Sequence, residues 1–89
     1  MWKEVHIIYW VILMIYPRLR ELREDHDLNQ TQVAKVLNMS QRGYSNYETG
    51  VNDLPTHVLI ELSRFYNVSI DYLLGESDNP TRAPLPRGG

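Results

Sequence analysis

Between positions 17 and 76, hydrophobic residues recur at the three- and four-residue spacing of amphipathic helices, and polar residues fill the positions between them. Glycine, asparagine and proline divide this region into short segments. The pattern predicts five helices, over residues 17 to about 25, 30–37, 41–49, 55–66 and 70–74. We therefore expect an all-α domain. Its inward side chains should include Leu19, Leu22, Val33, Leu37, Tyr44, Tyr47, Leu59, Leu62, Phe65 and Tyr66.

Capping residues are most complete around the second and third predicted helices. Asn29 is a typical N-cap, and Gln32, three residues later, can complete a capping box. Asn38 tolerates the left-handed backbone that ends a helix. Met39 then supplies an apolar plug beneath the turn, and Ser40 can cap the third helix. The sequence thus predicts two short helices joined by a tight turn.

The third predicted helix, which Gly50 should end, has two distinct faces. Tyr44 and Tyr47 share the side that we expect to be buried. The remaining side chains are polar and mostly uncharged, namely Gln41, Arg42, Ser45 and Asn46. A short helix that follows a tight turn and presents polar side chains is suited to reading DNA in the major groove.

The segment Asn29–Gly50 resembles the helix-turn-helix of the lambda/434 repressor and Cro family, known more broadly as Xre-like transcriptional regulators. The similarity covers about residues 17–76. The most family-like residues are Gln30, Ala34, Ser40, Tyr47, Glu48, Gly50, Pro55 and the run Val68–Gly75. The resemblance implies a compact five-helix, lambda-repressor-like domain that binds double-stranded DNA. It further implies a repressor that binds a palindromic operator as a homodimer, with its recognition helices about 34 Å apart.

Docking as in the resembled family would bring Gln41, Arg42 and Asn46 to the major groove. Arg can bond to O6 and N7 of guanine, and Gln or Asn to N6 and N7 of adenine. Gly43 lies on the same face, where the family usually carries a small polar or a larger residue. Either the backbone approaches DNA closely at Gly43, or one base contact is missing. Without the resemblance, an ordinary solvated helix face would be the simpler interpretation of these residues.

Phosphate contacts are expected around the same helix. Gln30 opens the second helix, where its side chain and nearby backbone N–H groups can meet a phosphate at the positive end of the helix dipole. The resemblance supports this role for Gln30. Weaker candidates are Arg18, Lys35, Ser45, Thr49 and Asn52. Contacts of this type fix the register of a protein on DNA without reading its sequence.

One charged pair is expected to have a structural role. The family pairs an Arg in the first helix with a Glu near the end of the recognition helix, and these positions fall on Arg23 and Glu48. Such a half-buried pair should hold the two helices together. Its net contribution to stability should be small, because desolvation of the two charges offsets their attraction.

Composition limits the alternatives. The chain has 89 residues, 43% of them hydrophobic, which suffices for one small domain and not for a second one that binds a regulatory ligand. It has no cysteine, which excludes disulfides and fits a cytoplasmic protein. The net charge of −2 argues mildly against a nucleic-acid binder. However, residues 41–47 contain Arg42 and no acid, so local charge can still favour phosphate.

Residues 1–16 and 77–89 flank the predicted domain, 17–76. The run Ile7–Tyr16 is uncharged and too short to span a membrane, which requires about 20 residues. Its β-branched and aromatic residues favour a strand, which could pair with its copy in a second subunit. A helix packed on the domain, or an upstream extension if Met14 is the biological start, are the alternatives. Residues 77–89 are rich in proline and are expected to be disordered.

No pattern indicates catalysis. His6, His26 and His57 lie in separate segments without metal-ligand spacing, and no Ser-His-Asp arrangement accompanies them. We therefore expect no enzyme, no metal, no cofactor and no small-molecule ligand. A protein-interaction module, such as an antitoxin-like partner, is the second functional hypothesis. It would use the same fold, with the N-terminal apolar run holding another protein.

Overall fold

The computed structural model describes residues 16–82. This part of the chain forms five α-helices and no strand, which confirms the all-α prediction. The strand or helix predicted for residues 1–16 falls, except for Tyr16, outside the described residues. The helices are α1 (Pro17–Asp25), α2 (Gln30–Val36), α3 (Gln41–Glu48), α4 (Thr56–Tyr66) and α5 (Ile70–Leu73).

The caps of α2 and α3 follow from local sequence. The side chain of Asn29 accepts the backbone N–H of Gln32 at 2.8 Å, and the backbone N–H of Asn29 donates to Oε1 of Gln32 at 2.8 Å. These two bonds form the predicted capping box. Asn38 has a φ of 57° in the turn, and Oγ of Ser40 accepts the N–H of Gly43 at 3.0 Å. The predicted helix-turn-helix is confirmed.

Four helix boundaries differ from the prediction, each by one residue. Pro55 is expected as the first residue of the fourth helix, but its ψ of 152° is extended, so it is the N-cap and α4 begins at Thr56. The second, third and fifth helices each end one residue earlier than expected, and their C-caps are Leu37, Thr49 and Leu74. Shifts of one residue are the usual uncertainty of helix ends.

The core lies between the five helices and includes three residues outside them, Leu37, Leu54 and Val68. The prediction that Phe65 is buried is wrong, because its side chain is 41% exposed. The buried residues of α4 are Val58, Leu62, Ser63 and Tyr66, which leaves Phe65 at the edge of the buried face. The buried hydrophobic residues are Leu19, Leu22, Val33, Ala34, Leu37, Tyr44, Tyr47, Leu54, Val58, Leu62, Tyr66, Val68 and Leu73.

The packing order of the helices leaves one side of α3 free of other helices. α1 contacts α3 and α5, α2 contacts α3, and α4 contacts α5. Ala34, on α2, is 1% exposed, and its small side chain allows the close approach of α2 and α3. The inner face of α3 is therefore buried while its polar face points outward.

Residues 77–82 lie against the N-terminus of α5, whereas the sequence predicts disorder from residue 77. The backbone N–H of Ser69 donates to the carbonyl of Pro80 at 2.9 Å, and Oγ of Ser69 donates to the carbonyl of Asn79 at 3.3 Å. Proline and asparagine carbonyls are ordinary acceptors, so a composition-based prediction of disorder misses such contacts. The rest of the predicted tail, 83–89, lies outside the described residues.

Candidate nucleic-acid interface

A continuous chain of side-chain hydrogen bonds links α3 to α1 and α2. Arg23 holds Glu48 through two bonds, from Nε to Oε2 at 2.7 Å and from Nη2 to Oε1 at 3.0 Å. Nε2 of Gln30 donates to Oε1 of Glu48 at 3.2 Å. Nε2 of Gln41 then donates to Oε1 of Gln30 at 2.6 Å. The structure thus brings Arg23 to Glu48 and Gln30 to Gln41.

The Arg23–Glu48 pair is nearly sealed from solvent. The side chain of Glu48 is 5% exposed and that of Arg23 is 13% exposed. Burial alone would raise the pKa of Glu48, but the hydrogen bonds that Glu48 accepts, foremost from Arg23, and the charge of Arg23 outweigh burial and hold the pKa below its ordinary value. The hydrogen bond to Glu48 raises the pKa of Arg23. Both groups are therefore charged at neutral pH.

Aromatic rings fix the inner face of α3. The rings of Tyr44 and Tyr47 meet edge to face, with centroids 6.4 Å apart. Burial, and then the neighbouring carboxylate of Glu48, raises the pKa of Tyr44 and raises that of Tyr66 to about 12. These two phenols stay neutral at physiological pH, so Glu48 is the only negative group in this part of the core.

The outward face of α3 presents the predicted base-reading residues together. Gln41 and Arg42 are exposed, and Gly43 and Asn46 are partly exposed. The only acid on α3 is Glu48, whose charge is paired with Arg23, so the outward face has Arg42 as its one charge. An exposed surface with one cation and several amide groups can bind phosphates and base edges.

Four of the predicted phosphate-contacting residues lie close to this face. Lys35 is exposed on α2, and Ser45 is partly exposed on α3. Thr49 and Asn52 are exposed just after α3. The backbone N–H of Asn52 donates to the carbonyl of Asn46 at 3.0 Å, so the loop folds back onto the end of the helix.

Gly43 stands where the turn leaves little room for a side chain. A Cβ atom built at Gly43 would lie 3.0 Å from Cε of Met39 and 3.1 Å from Oγ of Ser40. The sequence suggested either a close approach of the backbone to DNA or a missing base contact at Gly43. Neither interpretation accounts for these short distances, because both concern DNA. The methyl group of Met39 would have to shift by a few tenths of an ångström to admit a Cβ at position 43.

Arg18 belongs to a different surface. Its guanidinium lies 3.9 Å from the ring centroid of Tyr72, and it also pairs with Glu21 at 3.4 Å and with Asp78 at 3.6 Å. These contacts join α1 to α5 and to the segment after it. The structure does not bring Arg18 to the polar face of α3.

A family comparison covers most of the described residues. Residues 19–73 match the family described as Helix-turn-helix, of the Cro/C1 type. The chain belongs to this helix-turn-helix family. The family and the fold are those of DNA-binding transcriptional regulators and not of enzymes.

Two transcriptional regulators and an antitoxin are similar in sequence to this helix-turn-helix chain. The uncharacterized HTH-type transcriptional regulator YobD of Bacillus subtilis is 39% identical over 67 residues, which cover 75% of this chain and 60% of YobD. The cryptic phage CTXphi transcriptional repressor RstR of Vibrio cholerae is 32% identical, over 73% of this chain and 59% of RstR. The antitoxin PezA of Streptococcus pneumoniae is also 32% identical, over 71% of this chain and 40% of PezA.

A solved structure has a similar fold. The crystal structure of a transcriptional regulator from Listeria innocua superposes with a TM-score of 0.65 and 31% sequence identity, covering 68% of this chain and 57% of that one. Across these comparisons the chain spans between 40% and 60% of the length of the named relatives. The shared part is the helix-turn-helix domain.

The residue before the first helix makes a contact that sequence reasoning missed. The hydroxyl of Tyr16 donates to Oδ1 of Asp53 at 2.8 Å, and the same oxygen accepts the backbone N–H of Leu54 at 3.0 Å. The hydrogen bond to Asp53 raises the pKa of Tyr16. The loop that follows the recognition helix is thereby tied to the start of α1. Nothing in the sequence pairs residues 37 positions apart.

The described histidines have packing or surface positions. Nδ1 of His26 lies 2.8 Å from the carbonyl of Leu22, and its ring is 5.1 Å from that of Tyr66. His57 is exposed on α4, and His6 is outside the described residues. Among residues 16–82 there is no group of three potential metal-binding side chains. No helix in that range is long and apolar enough to cross a membrane.

Proposed function

We propose that the chain is a sequence-specific transcriptional repressor that binds a palindromic operator as a homodimer in the cytoplasm. The observation that carries this proposal is the hydrogen bond between Gln41 and Gln30, because it holds an exposed amide in place at the start of the recognition helix. The similarity to RstR, which is named a transcriptional repressor, supports repression over activation. Palindromic sites suit two-fold symmetric dimers, whose recognition helices occupy half-sites about 34 Å apart.

Gln41 is well placed to read adenine. One hydrogen of its Nε2 is used by Gln30, which leaves the second hydrogen and the side-chain oxygen free. A bidentate contact with adenine needs one donor and one acceptor, so the bond to Gln30 is compatible with base reading. Because the amide is already oriented, less conformational entropy is lost when it binds a base.

Arg42 and Asn46 complete the proposed reading surface. Arg42 is exposed and can bond to O6 and N7 of a guanine. Asn46 lies one turn further along α3 and can contact an adenine. Each good bidentate pair discriminates against a wrong base by about 1–3 kcal/mol.

Phosphate contacts are proposed for Lys35, Ser45, Thr49 and Asn52, which lie around the reading face. The side chain of Gln30 is assigned two roles. Its oxygen accepts from Gln41 and one hydrogen of its Nε2 bonds to Glu48, which leaves the second Nε2 hydrogen free to donate to a phosphate. We therefore propose that Gln30 both positions Gln41 and contacts phosphate, and we leave Arg18 out of the phosphate set because its guanidinium is engaged at α5.

In vitro selection of DNA sites with the purified full chain tests the proposal directly. The expected result is an enriched sequence with two-fold symmetry, bound with a dissociation constant of about 10⁻⁸ M or lower at physiological salt. Sedimentation of the complex should give two protein chains for each site. Enrichment of no sequence, with only weak and strongly salt-dependent binding, would contradict sequence-specific regulation.

An antitoxin-like function is the second candidate, and the similarity to the antitoxin PezA favours it. In that case the chain would hold a partner protein with residues 1–16 while the helix-turn-helix binds DNA. A stable complex with a toxin, formed without DNA and lost when residues 1–13 are deleted, would support this function. Unchanged operator binding by the same deletion variant would show that the two activities are separable.

A further inference from the structure

The outward face of α3 lacks a side chain at Gly43, which lies on the flank of this face. The atom that comes closest to a Cβ built at Gly43 is Cε of Met39, at 3.0 Å. An apolar methyl group from the turn therefore lies directly beside the position without a side chain.

Met39 is divided between two environments. It packs against the hydrophobic core but is only partly buried. It also lines an open surface groove at the junction of α2 and α3, together with Lys35 and Gln41. Both of these neighbours are exposed and belong to the proposed DNA-binding surface. Packing under the turn therefore buries only part of the Met39 side chain, and the rest lies at this surface.

The major-groove edges of the four bases differ in one apolar group. Thymine carries a 5-methyl group, while the other edges present hydrogen-bond donors and acceptors. Apolar side chains recognise thymine by contact with this methyl group. An unbranched thioether is well suited to such a contact, because it adapts its shape to the available space. Between residues 39 and 46, Met39 is the apolar side chain that is partly exposed, and the other side chains that reach the surface there are polar.

We propose that Met39 is a further specificity-determining residue, whose terminal methyl group contacts the 5-methyl group of one operator thymine beside Gly43. The inference rests on the proposed function, since it requires that α3 read the major groove. It extends base readout from the recognition helix to the preceding turn. It also gives the glycine at position 43 a role, since a Cβ there would stand 3.0 Å from the methyl group of Met39 and shift it by a few tenths of an ångström.

Replacing thymine by deoxyuridine, which lacks only the 5-methyl group, tests this contact. In operators selected by the full chain, each thymine is replaced in turn, and binding is measured by fluorescence anisotropy. One replacement should weaken binding of the unmodified protein about fourfold, the factor expected for burial of one methyl group. Met39→Ala should bind the thymine and deoxyuridine versions of that site equally.

Two matched variants complete the design. Met39→Leu keeps an apolar side chain of similar volume in case Met39→Ala does not fold, and its shorter reach should also reduce the fourfold ratio. Lys35→Ala, in the same groove, should weaken binding to both DNAs and keep the ratio. The ratio is taken within each protein, so a change in stability alone does not alter it.

The possible failures are distinguishable. If the full chain selects no DNA sequence, the proposed function is wrong and the inference falls with it. If it selects a site but no thymine replacement weakens binding, only the role of Met39 is overturned. A fourfold ratio that persists in both Met39→Ala and Met39→Leu would likewise assign the thymine contact to another residue. A selected half-site without thymine would also overturn the inference.

Discussion

Nε2 of Gln41 donates a 2.6 Å hydrogen bond to Oε1 of Gln30, and this bond joins the first residue of α3 to the first residue of α2. Gln30 is itself held by Glu48, which Arg23 holds in turn. The orientation of an exposed amide therefore depends on a charge pair in the interior. Substitutions far from DNA should change base readout through this chain of bonds.

Gln30→Ala is expected to weaken discrimination at the base pair read by Gln41. Without Gln30 the amide of Gln41 must be ordered on binding, so we expect a loss of roughly 1 kcal/mol, the lower end of the value for a bidentate contact. Competition binding with each base substituted in the operator measures the effect. Thr31→Ala, an exposed neighbour on α2, serves as the control and should leave discrimination unchanged. Equal discrimination in wild type and Gln30→Ala would contradict the positioning role.

Arg42→Ala and Lys35→Ala should separate base reading from phosphate binding. Arg42→Ala is expected to relax specificity at one base pair, at a cost of about 1–3 kcal/mol on the selected site. Lys35→Ala is expected to weaken all sequences alike and to reduce the slope of log affinity against log salt by about one. Anisotropy titrations at several salt concentrations distinguish the two effects. A uniform loss in both variants would show that Arg42 contacts phosphate only.

Breaking the buried pair on one side should cost more than removing it altogether. Arg23→Met leaves the Glu48 carboxylate, 5% exposed, without its partner, and loss of one member of a buried pair typically costs about 3–5 kcal/mol. Arg23→Met combined with Glu48→Gln leaves no buried charge. Urea unfolding should therefore place the midpoint of the double variant between those of wild type and Arg23→Met. A double variant less stable than Arg23→Met would contradict this ranking.

Stability should fall in acid partly because of Glu48. Its pKa is lower in the folded protein than the ordinary value of 4.5, so its contribution is fully present above pH 4.5 and is lost as the pH falls through the lower folded pKa. Chemical unfolding between pH 7 and pH 3 should show a shallower decline for Glu48→Gln than for wild type. Parallel pH profiles would mean that Glu48 has the same pKa folded and unfolded.

Residues close in sequence were predictable, and residues brought together from a distance were not. The capping box of Asn29 and Gln32 depends on a three-residue spacing that any helix start preserves, so sequence alone reveals it. The faces of α3 follow from helical periodicity in the same way. By contrast, the bond between Gln30 and Gln41 depends on how closely two helices cross. The sequence analysis assigned Gln30 to phosphate contact and Gln41 to base reading. Periodicity gives the direction of each side chain but not the distance between two side chains on different helices.

The family resemblance predicted one contact between residues distant in sequence, which periodicity could not predict. It placed Arg23 opposite Glu48, which lie 25 positions apart, and these side chains are in contact. It gave no indication of the crowding at Gly43 by Met39, because that depends on the side chain that this particular chain has in its turn. Residues that differ from a family pattern must be understood from their own neighbours.

The hydrogen bond between Tyr16 and Asp53 also bears on how the protein should be handled. Asp53 immediately follows Asn52, a proposed phosphate contact, so Tyr16 would lie close to the proposed path of the DNA backbone. A fluorophore or bulky fusion partner attached close before Tyr16 would report on, or obstruct, the bound duplex. Phe in place of Tyr16 would remove the bond and free that attachment point to move away from the loop.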